Sequence, residues 1–301
     1  MRVRLISFLL LCLVFMYACE QETQITLPVS KPKLVVNGIL FSGKPIELRL
    51  SQTLSQHNTH SIPVENAAVE LFENDLSLGL LDQDTAGIYR YPDYNIKEGV
   101  LYKVEIFTEQ FGTASAQTSI PNKPTLDSMR VHRYTGKDKT GMPLSTLNLF
   151  FSDTLGKPNY YQYDCIVCVD SFNIIGKQCY NNMFSYNAAF IHGHGEESKV
   201  FTNELFDQNP VHLSLQYQDP SSYYFADDSI NQTVYARLIT LSEEMYQYTI
   251  SLNKYINNSE SLWLSNNPPL IYNNINNGLG IFAGIAVGNR IQQNIHDFAD
   301  E

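Results

Sequence analysis

The segment VHLSLQYQ places Val211, Leu213, Leu215 and Tyr217 on one side of an extended chain and His212, Ser214 and Gln216 on the other. A period of two marks a strand buried on one face, because successive side chains leave a strand in opposite directions. The same alternation occurs in PIELRLS, where Leu48 and Leu50 are interleaved with Glu47, Arg49 and Ser51. KLVVNGIL, AAVELFEN, GIYRYPD, LYKVEIFTE, TASAQTSIP, STLNLFFSD, YYQYDCIVCVD and VYARLITLS are further short runs rich in strand-forming residues. Asn-Gly, Ser-Gly, Ala-Gly and Glu-Gly pairs punctuate them as turns. Strands at this spacing without intervening helices bury their apolar faces by stacking sheet on sheet. The expected fold is mainly β, with two domains of β-sandwich type.

Residues 33–121 are expected to form an N-terminal sandwich of immunoglobulin or transthyretin type, and Pro121-Asn122-Lys123-Pro124 reads as a hinge. Residues 122–290 form a second β-rich domain with one packed helix over about 242–257, followed by a frayed tail at 291–301. Ser242 is placed to cap that helix, and Glu243 and Glu244 sit at the positive end of its dipole. Met245, Tyr248, Leu252 and Tyr255 recur at steps of three and four and predict its packed face. After it, Pro268-Pro269 and several asparagines describe an irregular crossing into a glycine-punctuated last strand at Gly278–Gly284.

The other end of the sequence carries a different signal. Arg2 and Arg4 precede an apolar run from Leu5 to about Tyr17 that ends in Ala18-Cys19. A spanning helix needs roughly 20 apolar residues, and this run is shorter. A basic start, a compact apolar stretch and a small residue before a break describe a secretory signal. Cysteine straight after Ala18 resembles a bacterial lipobox, so residues 1–18 are expected to be removed and Cys19 acylated as a lipid anchor. Residues 19–32 are then a tether, and Glu20–Gln24 resembles the surface-export signal of Bacteroidota lipoproteins. The net charge of -11 argues against nucleic acid, whose binding rests on basic patches.

With Cys12 in the leader and Cys19 lipidated, Cys165, Cys168 and Cys179 remain, an odd number that cannot all pair. Cys165 and Cys168 lie three apart on one strand and point to opposite faces, so they cannot bridge each other. One extra cysteine does not complete a zinc site. A Cys168–Cys179 bridge across a hairpin is one arrangement, and buried free thiols are the commoner one.

Candidate chemistry is sparse. In IHGHGEESK, His192 and His194 share a face of an extended segment and Glu196 would complete a divalent-metal site; a glycine-rich connection is the plainer reading. The loop LSNNPPLIYNN, with the single tryptophan Trp263 beside it and with Tyr272 and Asn274, is the expected contact region for a ligand or partner. The chain has no G-x-S-x-G elbow, H-E-x-x-H helix or phosphate-binding glycine loop, and neither catalytic residues nor a cofactor are expected.

KLVVNG, VENAAVELFEN, GIYRYP, FFSDTLGKPNYYQYDC, LSEEMYQY and PLIYNNINNGLGIFAG together resemble a family of Bacteroidota outer-membrane lipoproteins labelled domain of unknown function 4249. The pattern Asn274–Gly284 is the most specific part. The resemblance implies a lipoprotein of the outer membrane, encoded beside a TonB-dependent receptor, and carries no catalytic residues. The expected role is non-enzymatic: assisting a TonB-dependent transporter in substrate capture or docking, or else acting as a stand-alone adhesin or glycan-binding module. The Asp-Ser/Thr-apolar triplets at Thr85, Ser128, Thr154 and Ser229 resemble the O-glycosylation pattern of exported proteins in that phylum, with turns built by the aspartates as the plainer reading.

Overall fold

A computed structural model of the chain describes residues 31–54, 60–153, 157–171, 177–180, 183–184, 199–206, 209–220, 230–257 and 269–296. The leader, Cys19, Thr154, His192, His194, Glu196, Ser229 and Trp263 lie outside the described residues. The first strands are β1 (Leu34–Phe41), β2 (Pro45–Gln52), β3 (Ile62–Pro63), β4 (Ala68–Glu73) and β5 (Leu76–Leu80). β6 (Asp82–Thr85), β7 (Ile88–Asn95), β8 (Leu101–Thr108) and β9 (Gly112–Ser119) complete the part before the hinge. Beyond it come β10 (Leu126–Lys137), β11 (Pro143–Phe151), β12 (Tyr160–Ser171), β13 (Gln178–Tyr180) and β14 (Met183–Phe184). β15 (Val200–Thr202), β16 (Val211–Gln218), β17 (Ile230–Leu241), helix α1 (Glu243–Asn257) and β18 (Leu279–His296) close the chain.

The protein is mainly β, with sandwich-type packing and a single α-helix among the described residues. One ten-stranded sheet runs through both halves in the order β13-β12-β17-β18-β1-β2-β7-β6, with β15 on β12 and β3 on β2. The four-stranded sheet β5-β4-β8-β9 covers one half and β10-β11-β16-β14 the other. In the N-terminal lobe Leu34, Val36, Leu40, Ile46, Leu48 and Leu50 meet Val69, Leu71, Val104 and Ile106. In the C-terminal lobe Tyr163, Cys165, Val167, Val234, Ala236 and Leu238 meet Leu147, Leu149, Leu213 and Leu215. The alternation of VHLSLQYQ is realised as written, with Val211, Leu213, Leu215 and Tyr217 buried.

β18 joins the lobes. It runs parallel to β1 from Val35↔Leu279 to Phe41↔Ile285 and antiparallel to β17 from Leu241↔Ile285 to Asn231↔His296. The N-terminal lobe is therefore not built from residues 33–121 alone, because Ile275 and Phe282 complete its core. A register shift between Arg237 and Ile239 inserts an extra residue into β18, which reverses which side chains face inward. Phe282 faces the N-terminal core before the shift, and Ile291 and Ile295 face the C-terminal core after it. Those two isoleucines are why the strand continues to His296, where a frayed tail was expected from residue 291.

Gly280 shows why this strand needs glycine. Its φ is +117°, and a Cβ there would stand 2.0 Å from the Val36 carbonyl oxygen. At Gly288 a Cβ would stand 2.4 Å from the Pro124 carbonyl oxygen, so the hinge passes directly over the strand.

Helix α1 packs on the face of the long sheet opposite the two cores, against Ile39, Phe41, Ile239, Leu241, Ile285 and Val287. The buried helical residues are Tyr246 and Ile250, with Met245 beside them. This corrects the stripe expected from periodicity, since Tyr255 is exposed. One residue along a helix is a rotation of about 100°, and tertiary contacts set that rotation. Ser242 Oγ accepts the Met245 N–H at 3.3 Å and the Gly284 N–H at 3.1 Å, capping the helix and tying it to β18. The Tyr160 ring stacks on Tyr246 at 4.7 Å between centroids.

Of the two cysteine arrangements, the structure has the bridge: Cys168 and Cys179 face each other across β12 and β13 and form a disulfide. Cys165 is free and buried, and burial followed by the nearby Asp164 charge pushes its thiol pKa well up.

Candidate functional site

The hinge is held from both sides. Glu98 accepts the Lys123 N–H at 2.9 Å, the Lys123 ammonium at 3.0 Å and the Ser42 hydroxyl at 2.8 Å. Burial is the largest single influence on Glu98 and raises its pKa, but the two Lys123 donors and Ser42 together outweigh it and leave the carboxyl below its ordinary value. From the opposite side Thr240 Oγ1 donates to the Asn122 carbonyl at 2.6 Å.

Between hinge, β12 and β17 opens a cleft of about 540 Å³. Pro121, Asn122, Lys123 and Pro124 form one wall. Lys157, Pro158, Asn159 and Tyr160 form the other, and Thr240, Ser242 and Glu243 close the end. Adjacent Tyr160 and Tyr161 point to opposite faces of β12. Tyr160 turns to the helix, while Tyr161 stacks on Phe201 in the core and donates its hydroxyl to Asp153. Burial first, then the Glu243 and Glu204 charges, raises the Tyr160 pKa, so its hydroxyl stays protonated at neutral pH. Asp153 also accepts the Asn159 amide at 2.9 Å and the Asn203 amide at 2.7 Å. This fixes the entry to β12 and with it the position of Lys157.

A second, smaller groove of about 350 Å³ lies under the crossing into β18, lined by Lys103, Ser115, Gln117, Glu244, Tyr272, Asn274 and Asn276. The Tyr272 N–H is held by Ser251 Oγ at 2.8 Å. Asn274 lines the groove, but its amide is committed to backbone. It donates to the Phe282 carbonyl at 2.7 Å and accepts the Phe282 N–H at 2.9 Å. Asn276 pairs through its backbone with Ser115 at 2.8 and 3.2 Å, and Asn277 donates to the Thr113 carbonyl at 3.3 Å. The asparagine-rich motif is thus a staple between β9 and β18 that shapes the groove.

Thr85 and Ser128 are exposed on β6 and β10, and their neighbours Asp84 and Asp127 bind Arg90 and Ser152 rather than turning on their own backbone. No group of three or more His, Cys, Asp and Glu able to hold a metal occurs among the described residues. The cleft residues Lys157 and Thr240 were not singled out from sequence. The proline pair marked the hinge, but only the sheet order brings β12 and β17 beside it.

Fold and clefts together define a two-lobed β-sandwich protein whose lobes share one sheet. The chain belongs to the family described as domain of unknown function (DUF4249), whose model matches residues 20–291. No curated protein matches it. Among solved structures it is similar to a beta-glucuronidase from glycoside hydrolase family 2, with 9% identity and a TM-score of 0.24 over 70% of this chain and 20% of that one. A Salmonella alpha-2-macroglobulin variant gives 13% identity and a TM-score of 0.25 over 89% of this chain and 15% of that one. A family 2 glycosyl hydrolase from Bacteroides cellulosilyticus gives 10% identity and a TM-score of 0.19 over 71% and 29%. The chain spans less than a third of each of these proteins, and likeness at this level carries no argument about its function.

Proposed function

We propose that this chain is a non-enzymatic lipoprotein of the bacterial outer membrane, anchored by acylated Cys19 and facing outward, that assists a TonB-dependent transporter by capturing substrate or docking on the barrel. The observation that carries the reading is the hinge cleft. Its volume of about 540 Å³ lies in the range of small-molecule sites. It combines prolines and a tyrosine face with a few fixed polar groups, and it lies where one sheet joins two lobes. The leader-like start of the sequence supports the location.

The test is co-purification of the tagged chain from outer membranes. A TonB-dependent barrel is expected to come down with the wild type and to be lost with Lys157→Glu, which reverses an exposed charge at the cleft rim. Cys19→Ser is expected to release the protein from the membrane fraction. Failure of the wild type to bring down any such barrel sinks the reading.

The smaller groove favours a second reading, a stand-alone glycan-binding module. Tyr272 offers a ring beside the amide and cationic groups of Gln117, Asn276 and Lys103. A glycan array separates the two: strong binding lost on Tyr272→Ala or Trp263→Ala selects the module.

A further inference from the structure

On the face of the long sheet away from the C-terminal core, Ile166, Cys168, Lys177, Cys179, Tyr235 and Arg290 surround an open depression of about 460 Å³. Tyr235 is its centre. The Arg290 guanidinium carbon lies 4.1 Å from the ring centroid and the Lys177 ammonium 5.1 Å from it. Lys177 also donates to the Tyr235 hydroxyl at 3.0 Å. Among the described residues neither cation has a carboxylate partner, and the neighbouring Asp164 is already held by Arg237 at 2.6 Å. Two positive charges therefore converge on one neutral ring in a chain whose net charge is -11. Attraction to the ring face offsets part of their mutual repulsion.

The position of Lys177 has a separate cause. β13 has three residues, all exposed, so no core contact holds it on β12. The Cys168–Cys179 disulfide fixes it there, two residues from Lys177, which enters the depression. A covalent clamp thus orders a lysine at the surface and contributes no apolar packing through the strand it holds.

We propose that this depression is an oxyanion site for a phosphate monoester dianion. Two cations match two negative charges. Arg290 supplies a planar fork for two oxygens, Lys177 supplies a point charge, and the Tyr235 hydroxyl, which accepts from Lys177, keeps its own proton to donate to a third. Ile166 and the disulfide supply the apolar part of its lining. The site is separate from the hinge cleft and stands whichever partner that cleft takes.

Calorimetry of the full chain with inorganic phosphate tests it. One phosphate per chain is expected, weakened about tenfold or more by Arg290→Gln and by Lys177→Gln, since each removes a charge-assisted contact. The double variant Cys168→Ser/Cys179→Ser is expected to weaken binding too, with the far-ultraviolet circular dichroism unchanged. Dihexanoyl phosphatidic acid as a second probe separates sources: tighter binding than inorganic phosphate assigns the dianion to a lipid headgroup, and equal binding to a free phosphate. No heat with either probe overturns the site. So does wild-type affinity in both Arg290→Gln and Lys177→Gln, whose exposed side chains leave the fold intact.

Discussion

In the N-terminal lobe the two fully buried core tyrosines, Tyr89 and Tyr102, both return to backbone at the rim. Tyr89 donates to the Val64 carbonyl at 3.1 Å and accepts the Ala67 N–H at 3.0 Å, and Tyr102 accepts the Lys97 N–H at 3.0 Å. The C-terminal lobe instead buries a charge. The Asp219 side chain is fully covered and accepts Arg133 Nε at 3.2 Å, the Ser145 hydroxyl at 2.6 Å and the Gln232 amide at 3.3 Å. A core satisfied by neutral groups spreads its stability over many contacts. A buried carboxylate concentrates it, because removing one partner strands the others out of water.

The largest effect should come from breaking that cluster. Asp219→Ala removes the covered carboxylate that Arg133, Ser145 and Gln232 all bond and is expected to cost about 3–5 kcal/mol. Glu47→Ala, which removes one of the two exposed carboxylates on Arg90 in the other lobe, is expected to cost far less. Urea denaturation measures both, and equal losses would break the contrast. Next comes Gly280→Ala, where positive φ and overlap with the Val36 carbonyl are expected to cost about 2–4 kcal/mol. Because Gly280 pairs β18 with β1, hydrogen exchange should loosen in the N-terminal lobe first.

Reducing the Cys168–Cys179 disulfide opens a short loop and is expected to cost about 2–3 kcal/mol, with faster exchange in β12 and none in β4 or β8. Ser242→Ala removes a cap and a tie to Gly284 and is expected to cost about 1–2 kcal/mol, read as a lower melting temperature. The smallest effect concerns pH. The Glu98 carboxyl has a folded pKa below its ordinary value of 4.5, so its contribution is present above that value and fades as pH falls through the lower one. Glu98→Gln should flatten that acid dependence of the melting temperature while leaving it unchanged below the folded pKa.

The strands were legible because burial on one face writes itself into alternate residues, as at Leu48 and Leu50 or Val211 to Tyr217. The helix was legible through Ser242 and the two glutamates, but its rotation was not, because Tyr160 and Gly284 choose the packed face from distant parts of the chain. Sheet order was hidden for the same reason: nothing local in Leu279–His296 says that its first half pairs with β1 and its second half with β17 alone. The family motif was conspicuous, yet its residues are spent on backbone. Asn274 and Gly280 allow two chain segments to approach, and the groove beside them is a by-product of that closeness.

The placement of β18 bears on how the molecule comes into being. The chain is synthesised from its amino end, and Leu34 and Val36 emerge long before the Leu279–Phe282 segment they must lie beside. Until that segment arrives, β1 keeps an open edge and the first lobe lacks Phe282. Closure of both halves therefore waits for β18, and the step is slow because the strands it pairs lie far apart in sequence.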